Sequence, residues 1–553
     1  MNPTASPLQA SSNPGTAPRS ASGTGFDVRT VGERALLLET SGTAEASALH
    51  TLLTASPLPG QIEAVPAART VLVRFATRAE TREAAARAGQ LAGAALPGEA
   101  QEPRVVELET VYDGEDLEEV VRLSGLGSVQ AVIEAHTAAH WTAAFSGFAP
   151  GFTYLTGGDP RLQVPRRSEP RTAVPAGSVA LAGEYTAAYP GVSPGGWQLI
   201  GRTSAPLWDL EREFPALIAP GMRVRFVPVR ERAELSAGST APLEQGTDLA
   251  GIDPDPRVQD RPGAVVLETG LLVTVQDLGR PGHSHVGVGR SGAADRSALA
   301  RANRLAGNSP DAAGLEVLFG GLRLRAEQDL VLAVTGASAE LTVQAAGGSS
   351  AGVLPDRPFL LRAGSELELG TPAAGLRSYI AFRGGLEIPA VLGSRSTDTL
   401  AGLGPDPMAP GTALIIGAEP GSAVGHPEVP PPLPDGLAEL RYAPGPRQDW
   451  FGPDGTNAFE SRDWTVGGQS NRVGIRFEGS PLPCLRSGEL ASEAVLPGSV
   501  QVPPSGQPIL FLADAPVTGG YPVIGVVLEA DLDLAAQLRP GTAVRFVPVT
   551  LPV

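Results

Sequence analysis

The sequence predicts a mainly β protein with one small α+β unit near its N-terminus. The 553 residues include 68 Gly and 53 Pro, which favours a loop-rich β protein over a helical bundle. From Phe145 onward, short apolar runs alternate with Gly and Pro, a pattern typical of barrels and sandwiches. A set of glycine-containing motifs also occurs twice in the same order, which indicates two related β domains.

The repeat consists of three ordered pairs of segments. Chance similarity among Gly/Pro-rich strands is the alternative, and three matches in one order disfavour it. Both copies end in Val-Arg-Phe-Val-Pro-Val, whose alternation predicts a strand that closes a barrel. We therefore expect homologous β domains that end near residues 230 and 550. The paired segments are 175–179 with 497–500, 194–201 with 518–525, and 220–229 with 540–549.

The first hundred residues predict a tail and then the α+β unit. Residues 1–25 are rich in Ser, Ala, Pro, Gly and Thr, which predicts a disordered tail. The α+β unit covers residues 26–104, with strands at 34–39 and 70–75 and a helix at 77–92.

The rest of the chain predicts three β domains and a linker. The first barrel domain covers residues 105–230 and opens with two helices, one of which Asp116 can cap. Residues 231–262 are polar and aperiodic, which predicts a linker. A further β domain covers 263–435, and a second barrel domain covers 436–553.

Charge and cysteine content limit the classes of partner and compartment. The net charge of −17 disfavours nucleic acids and anionic membranes as partners. Cys484 is the single cysteine, so no intrachain disulfide can form, which fits a cytoplasmic protein. No stretch approaches about 20 consecutive apolar residues, so no transmembrane helix is expected.

The sequence contains no lysine, and all its cationic side chains apart from histidine are arginines. A covalent biotin carrier, a Walker-A loop, a Schiff-base enzyme and an amidase-signature hydrolase each need a lysine. We therefore expect none of these four activities from this chain by itself, and no covalently bound biotin.

Several motifs carry a resemblance to a known family. Over residues 26–230 the chain resembles KipI, the B-type component of 5-oxoprolinase, and over 263–553 it resembles KipA, the C-type component. The motifs of the first half are FSGFAPGFTYL (145–155), PRR (165–167), VPAGSV (174–179) and SPGGWQLIGRT (193–203). Those of the second half are TVQDLGR (274–280), SGAAD (291–295), GSRST (393–397), QVPP (501–504) and TGGYP (518–522).

The resemblance implies cyclophilin-like β-barrels, the first preceded by a small ferredoxin-like domain. It also implies a B/C fusion that works with a separate A-type component in ATP-dependent hydrolysis of 5-oxoproline to L-glutamate. Two alternatives stay open. The same domains resemble the carboxyltransferase region of biotin-dependent urea carboxylase, and KipI-like and KipA-like proteins are also linked to inhibition of a sporulation kinase and its relief. A homo-oligomer is compatible with all three.

The implied chemistry selects the candidate site residues. An unstrained lactam is a poor electrophile, and phosphorylation of its carbonyl oxygen by ATP would activate it. Without lysine, arginines must clamp the phosphates, and carboxylates would hold Mg²⁺. The catalytic candidates are Asp277, Arg280, Asp295 and Asp514. The candidates for binding substrate or nucleotide are Arg166, Arg167, Gly195, Gly196, Trp197, Arg202, Ser291, Arg395, Arg472, Thr518, Gly519, Gly520 and Tyr521.

Each candidate has a structural alternative. The arginines could form salt bridges, the glycine pairs could form tight turns, and Trp197 and Tyr521 could fill barrel ends. Asp295 could instead cap a helix predicted over 295–306. His136 and His140 are four residues apart, but no nearby third ligand is evident, so no dedicated metal site is expected.

Overall fold

The computed structural model describes residues 26–91, 104–230, 262–434, 436–486, 488 and 490–550. The predicted tail and nearly all of the predicted linker lie outside these residues. The described chain forms four units in sequence order, called here the small unit, the first barrel, the middle unit and the second barrel.

The small unit is a four-stranded antiparallel sheet, in the order β1-β2-β4-β3, with two helices. One face of the sheet packs on the helices around Leu36, Leu38 and Val73. The other face packs against the second barrel, so the central strands are apolar on both faces. The elements are β1 (Phe26–Val31), β2 (Ala35–Thr40), α1 (Thr43–Ala55), β3 (Gln61–Pro66), β4 (Thr70–Phe75) and α2 (Arg78–Leu91).

The first barrel has seven strands in the order β12-β9-β10-β7-β6-β13-β5, with β5 and β13 parallel. Backbone hydrogen bonds between Val111 and Arg202 join its two edges. The elements are β5 (Val105–Thr110), α3 (Leu117–Ser124), α4 (Val129–Ala138), β6 (Trp141–Ser146), β7 (Thr153–Thr156), β8 (Arg171–Val174), β9 (Ser178–Ala182), β10 (Tyr185–Ala188), β11 (Ser193–Gly195), β12 (Gln198–Arg202) and β13 (Arg223–Pro228).

The middle unit packs a six-stranded sheet against a five-stranded sheet around one apolar core, with α5 on the outer side of the second sheet. The elements are β14 (Ala264–Thr269), β15 (Leu272–Gln276), α5 (Arg296–Ala306), β16 (Gly314–Leu318), β17 (Leu322–Ala326), β18 (Leu330–Ser338), β19 (Leu341–Gln344), β20 (Ser350–Val353), β21 (Pro358–Leu361), β22 (Glu366–Leu369), β23 (Ala374–Phe382) and β24 (Ala413–Leu414).

The second barrel is closed, in the order β25-β32-β29-β30-β27-β26-β33, with β25 and β33 parallel. Strand for strand this is the order of the first barrel, so the sequence repeat corresponds to a repeat in topology. The elements are β25 (Ala438–Pro444), α6 (Gly452–Ser461), β26 (Trp464–Val466), β27 (Gly474–Glu478), β28 (Glu493–Ala494), β29 (Ser499–Gln501), β30 (Ile509–Phe511), β31 (Thr518–Gly519), β32 (Val523–Val527), α7 (Glu529–Ala536) and β33 (Ala543–Pro548). The predicted mainly β fold with barrel domains is confirmed.

Candidate functional site

A buried polar network joins the middle unit to the second barrel, and Arg472 is its centre. The Arg472 side chain is 4% exposed, and its Nε and Nη2 each donate to an oxygen of Asp514 at 2.9 Å. Its Nη1 donates to Glu316 of β16, and its Nη2 also donates to the carbonyl of Gly292 at 2.6 Å. One guanidinium therefore holds two carboxylates and the segment 277–296, which runs from the end of β15 to the first residue of α5.

Asp514 collects hydrogen bonds from three parts of the chain. Ser291 Oγ donates to it at 2.6 Å, while the backbone N–H and hydroxyl of Thr399 donate at 3.0 and 2.7 Å. Burial acts to raise the pKa of Asp514, but the positive charge and hydrogen bonds of Arg472 hold that pKa below its ordinary value. Asp514 is therefore ionised, and the network brings together the predicted residues Ser291, Arg472 and Asp514.

Glu316 completes the network on the side of the middle unit. Its Oε2 accepts hydrogen bonds from the Tyr379 hydroxyl at 2.8 Å and from the backbone N–H of Ala294 at 3.0 Å. Burial acts to raise its pKa, and Arg472 and Arg377 lower it below the ordinary value. Glu316 is thus a buried structural partner, which is the interpretation favoured by its apolar neighbours in sequence.

Asp295 caps α5, as one of the two sequence alternatives predicts. Its Oδ1 accepts the backbone N–H of Ala298 at 2.8 Å, and its Oδ2 accepts Gln537 Nε2 of the second barrel at 2.7 Å. Burial, followed by the negative charge of Asp533, raises the pKa of Asp295 to about 6. Its carboxyl group therefore titrates close to physiological pH.

Asp277 and Arg280 hold a loop of the middle unit. Asp277 accepts hydrogen bonds from Ser394 Oγ and from the backbone N–H of Arg395, both at 2.6 Å. Arg280 is 1% exposed, donates to backbone carbonyls of the same loop and lies 3.6 Å from Asp398. Burial lowers the pKa of Arg280. Both side chains are therefore committed to protein partners that fix the loop against segment 277–296.

The predicted residues of the first barrel contact a different set of groups. The exposed Arg166 places its positive charge close enough to act on Tyr154, whereas Arg167 pairs with the buried Asp116 at 2.7 Å. Arg202 pairs with an aspartate of the β5–α3 loop at 2.8 Å, besides closing the barrel. Trp197 is buried in an aromatic cluster, its ring centroid 5.5 Å from that of Tyr154.

The two predicted glycine pairs serve close approach rather than unusual backbone angles. None of these four glycines is among those with positive φ in the described chain. A Cβ at Gly195 would lie 2.5 Å from the Tyr189 hydroxyl, and one at Gly519 would lie 2.4 Å from the side-chain nitrogen of Gln501. A Cβ at Gly520 or Gly196 would meet nothing closer than 3.6 Å.

Thr518 and Tyr521 lie where the two barrels meet. A Cβ at Gly147 of the first barrel would lie 2.1 Å from Thr518 Oγ1, so glycine permits this contact. Tyr521 is 44% exposed, whereas Trp197 at the matching position of the first barrel is buried. The two barrels therefore use this repeat position differently.

A cavity of about 1130 Å³ lies where the small unit, the middle unit and the second barrel meet. Segment 277–296 forms one wall, and Ser291 links this wall to Asp514 of the buried network. Six arginines but only four acidic residues line the cavity, although the whole chain carries a net charge of −17. The arginines are Arg34, Arg74, Arg290, Arg296, Arg301 and Arg304, and the acidic residues are Glu33, Glu428, Glu529 and Asp533.

Sequence reasoning did not single out the arginines of this cavity. Arg290 and Arg296 directly flank the motif of residues 291–295, and that position was the available signal. Arg74 lies in the small unit, more than two hundred residues away in sequence, so only the packing of the units brings it to the same cavity.

Within the described residues, no group of three or more His, Cys, Asp or Glu side chains is arranged to hold a metal ion. His136 lies in the core of the first barrel, 2.7 Å from the Tyr112 hydroxyl and 3.0 Å from Thr186 Oγ1. Burial lowers the pKa of His136 to about 3, so the ring is neutral. No helix in the described part of the chain is long and apolar enough to cross a membrane.

Two family models cover most of the chain. The carboxyltransferase domain, subdomain C and D, matches residues 26–218, and the carboxyltransferase domain, subdomain A and B, matches residues 286–548. The C-type component of 5-oxoprolinase from Escherichia coli (strain K12) is 37% identical over 289 residues, which are 52% of this chain and 91% of that protein. The chain is a fused KipI–KipA-type protein of the carboxyltransferase-domain family.

Other relatives support both halves of this fused KipI–KipA-type protein. The B-type component of 5-oxoprolinase from Escherichia coli O157:H7 is 48% identical over 138 residues, which are 24% of this chain and 63% of that protein. The crystal structure of TTHA0988 has a TM-score of 0.79 and 36% identity, and covers 93% of this chain and 99% of that one. Urea amidolyases also match about half of the chain, at 28% and 29% identity.

Proposed function

We propose that this chain is the B/C component of an ATP-dependent 5-oxoprolinase that opens 5-oxoproline to L-glutamate together with a separate A-type component. The observation that carries the proposal is the combination, in one chain, of a half similar to the B-type component and a half similar to the C-type component. The tether keeps these halves at roughly millimolar effective concentration. The single cysteine and the acidic composition support a cytoplasmic location for this complex.

The contact between the two halves supports a single working assembly. Arg447 of the second barrel pairs with Glu39 of the small unit at 3.0 Å and with Glu493 of its own barrel at 2.9 Å. Beside these ion pairs, one apolar face of the small unit packs on the second barrel in a shared core. Apolar packing with buried ion pairs is typical of interfaces between proteins that function together.

The cavity at this junction suits an anionic reactant, because its lining has an excess of arginine over carboxylate. ATP would supply the phosphoryl group that converts the lactam carbonyl oxygen into a leaving group, and Mg²⁺ would accompany it. The four predicted catalytic side chains are engaged by protein groups. We therefore assign Asp277, Arg280, Asp295 and Asp514 positioning roles: they hold segment 277–296, which presents Ser291 to the cavity.

The test is reconstitution of the full chain with its cognate A-type component. ADP and glutamate are measured with and without 5-oxoproline, and each protein alone is the control. Glutamate formation that needs both proteins and ATP supports the proposal. If both proteins are folded, the absence of glutamate and of 5-oxoproline-stimulated ADP release rejects it.

The carboxyltransferase family models and the similarity to urea amidolyases favour one second candidate. In that role the chain would transfer a carboxyl group to urea from biotin carried by another protein, because it has no lysine to carry biotin itself. The test supplies a carboxylated, biotinylated carrier protein and urea. Urea-dependent loss of the carboxyl group from the carrier supports this role, and its absence rejects it.

A further inference from the structure

The six arginines of the cavity differ in whether a carboxylate neutralises them. Four of them form ion pairs of 3.3 Å or less. Arg290 and Arg296 have no Asp or Glu oxygen within 4.0 Å anywhere in the described chain, although both lie at the cavity wall. The four pairs are Arg34 with Glu529, Arg74 with Glu63, Arg301 with Asp356, and Arg304 with Glu428.

Arg290 is the more unusual of the two unpaired arginines. Its Nε is buried and has no hydrogen-bond partner. Burial, followed by the positive charges of Arg296 and Arg74, lowers the pKa of Arg290 to about 10. A buried donor without an acceptor destabilises a fold, so the conformation is compatible with a ligand that supplies the missing acceptor.

The nearby carboxylates have other partners. Glu63 accepts hydrogen bonds from Arg74 at 3.3 Å and from the backbone N–H of Ser284 at 3.0 Å. Asp533 accepts the backbone N–H of Arg296 at 2.8 Å. The guanidinium of Arg296 donates to a backbone carbonyl at 2.9 Å, which does not neutralise its charge. The positive charge at this wall is therefore not balanced locally.

We propose that Arg74, Arg290 and Arg296 form a binding site for an oxyanion group, phosphate or carboxylate, of a small ligand that enters the cavity. The planar guanidinium presents paired N–H donors that match the oxygens of either group. The ligand oxygens would accept from Arg290 Nε and offset the repulsion among the three charges. Binding needs neither the A-type component nor turnover, so the site stands or falls separately from the 5-oxoprolinase proposal.

The experiment measures binding to the full chain by isothermal titration calorimetry at low salt. Pyrophosphate probes phosphate recognition, and 5-oxoproline probes carboxylate recognition. Arg290→Gln and Arg296→Gln each remove a charged donor and are expected to weaken binding on the order of tenfold to a hundredfold. Arg290→Lys keeps the charge and is expected to lose less. Arg362→Gln, at an exposed residue outside the cavity, is the matched control for net charge.

Each outcome decides the proposal. Salt-sensitive binding of either probe that Arg290→Gln weakens and Arg362→Gln does not supports the site, and the probe that binds identifies phosphate or carboxylate as the source. The proposal is overturned if neither probe binds to the folded wild-type chain. It is also overturned if Arg290→Gln and Arg296→Gln bind as tightly as Arg362→Gln. Circular dichroism establishes that each variant is folded, and Arg290→Lys and Arg296→Gln replace Arg290→Gln if it is not.

Discussion

Replacement of Arg472 by methionine tests whether one guanidinium holds the middle unit to the second barrel. The variant keeps the aliphatic bulk of the side chain and removes its contacts to Asp514, Glu316 and the Gly292 carbonyl. Both carboxylates are buried, so they would be left without a cation. Breaking a buried ion pair by removing one partner costs about 3–5 kcal/mol, and we expect a loss of at least that size in the free energy of unfolding.

The same substitution gives a signed pH dependence. In the wild type, the pKa values of Asp514 and Glu316 lie below their ordinary values, so this stabilisation is present above about pH 4 and is lost as the pH falls further. In Arg472→Met, burial without the cation raises both pKa values, and stability falls as the pH rises through them. The difference between variant and wild type is therefore expected to be larger at pH 7.5 than at pH 5.

Urea denaturation followed by far-UV circular dichroism measures this difference at both pH values. Arg545→Met is the matched control, since Arg545 is 40% exposed and pairs with Asp463 on the barrel surface at 2.7 Å. It is expected to change stability by less than about 1 kcal/mol. The reasoning is refuted if Arg472→Met shifts the midpoint no more than Arg545→Met, or if its effect grows toward pH 5.

Three further predictions concern other contacts. Arg447→Leu removes the cation shared by two carboxylates at the junction of the halves, and is expected to lower stability by about 3 kcal/mol in urea denaturation. Gly147→Ala is expected to cost about 1–3 kcal/mol and to lower the melting temperature, because the new Cβ meets Thr518 Oγ1 at 2.1 Å; Thr518→Ala should partly relieve it. The neutral, buried His136 has a pKa of about 3, so it should reduce stability by about 2 kcal/mol between pH 7 and pH 5. His136→Gln should remove that part of the pH dependence.

Each has a control from the same chain. Arg486→Leu removes an exposed arginine and should leave stability nearly unchanged, so an equal effect of Arg447→Leu would contradict the junction argument. Gly191→Ala adds a methyl group with nothing within 4 Å, and a comparable drop in melting temperature would argue against the clash at Gly147. For His136, the comparison is exposed His140→Gln; a pH profile unchanged by His136→Gln would contradict a buried neutral ring.

The elements that sequence reasoning located correctly are those that local periodicity determines. Strand β4 occupies the predicted residues 70–75, and α5 occupies Arg296–Ala306 after its predicted cap. Both Val-Arg-Phe-Val-Pro-Val segments form strands that pair in parallel with the first strand of their barrel. Alternation and capping act over a few residues, so these features can be read without knowledge of the fold.

The candidate site was predictable only in part. The motifs led to Ser291, Arg472 and Asp514, which the structure brings together in one network. The motifs did not indicate that Asp277 and Arg280 would be engaged by a loop more than a hundred residues later. A side chain's partners depend on packing between units, which motif spacing does not encode.

The sequence by itself determined the family resemblance, the barrel repeat and the absence of lysine, because each is a property of residue identity and order. Only the tertiary structure decided which arginines are neutralised. Arg74 and Arg290 come from different halves and meet at one cavity, while Arg472 is enclosed by carboxylates from two units. The electrostatic state of a side chain depends on its distances to charges and water in three dimensions, and the fold sets those distances.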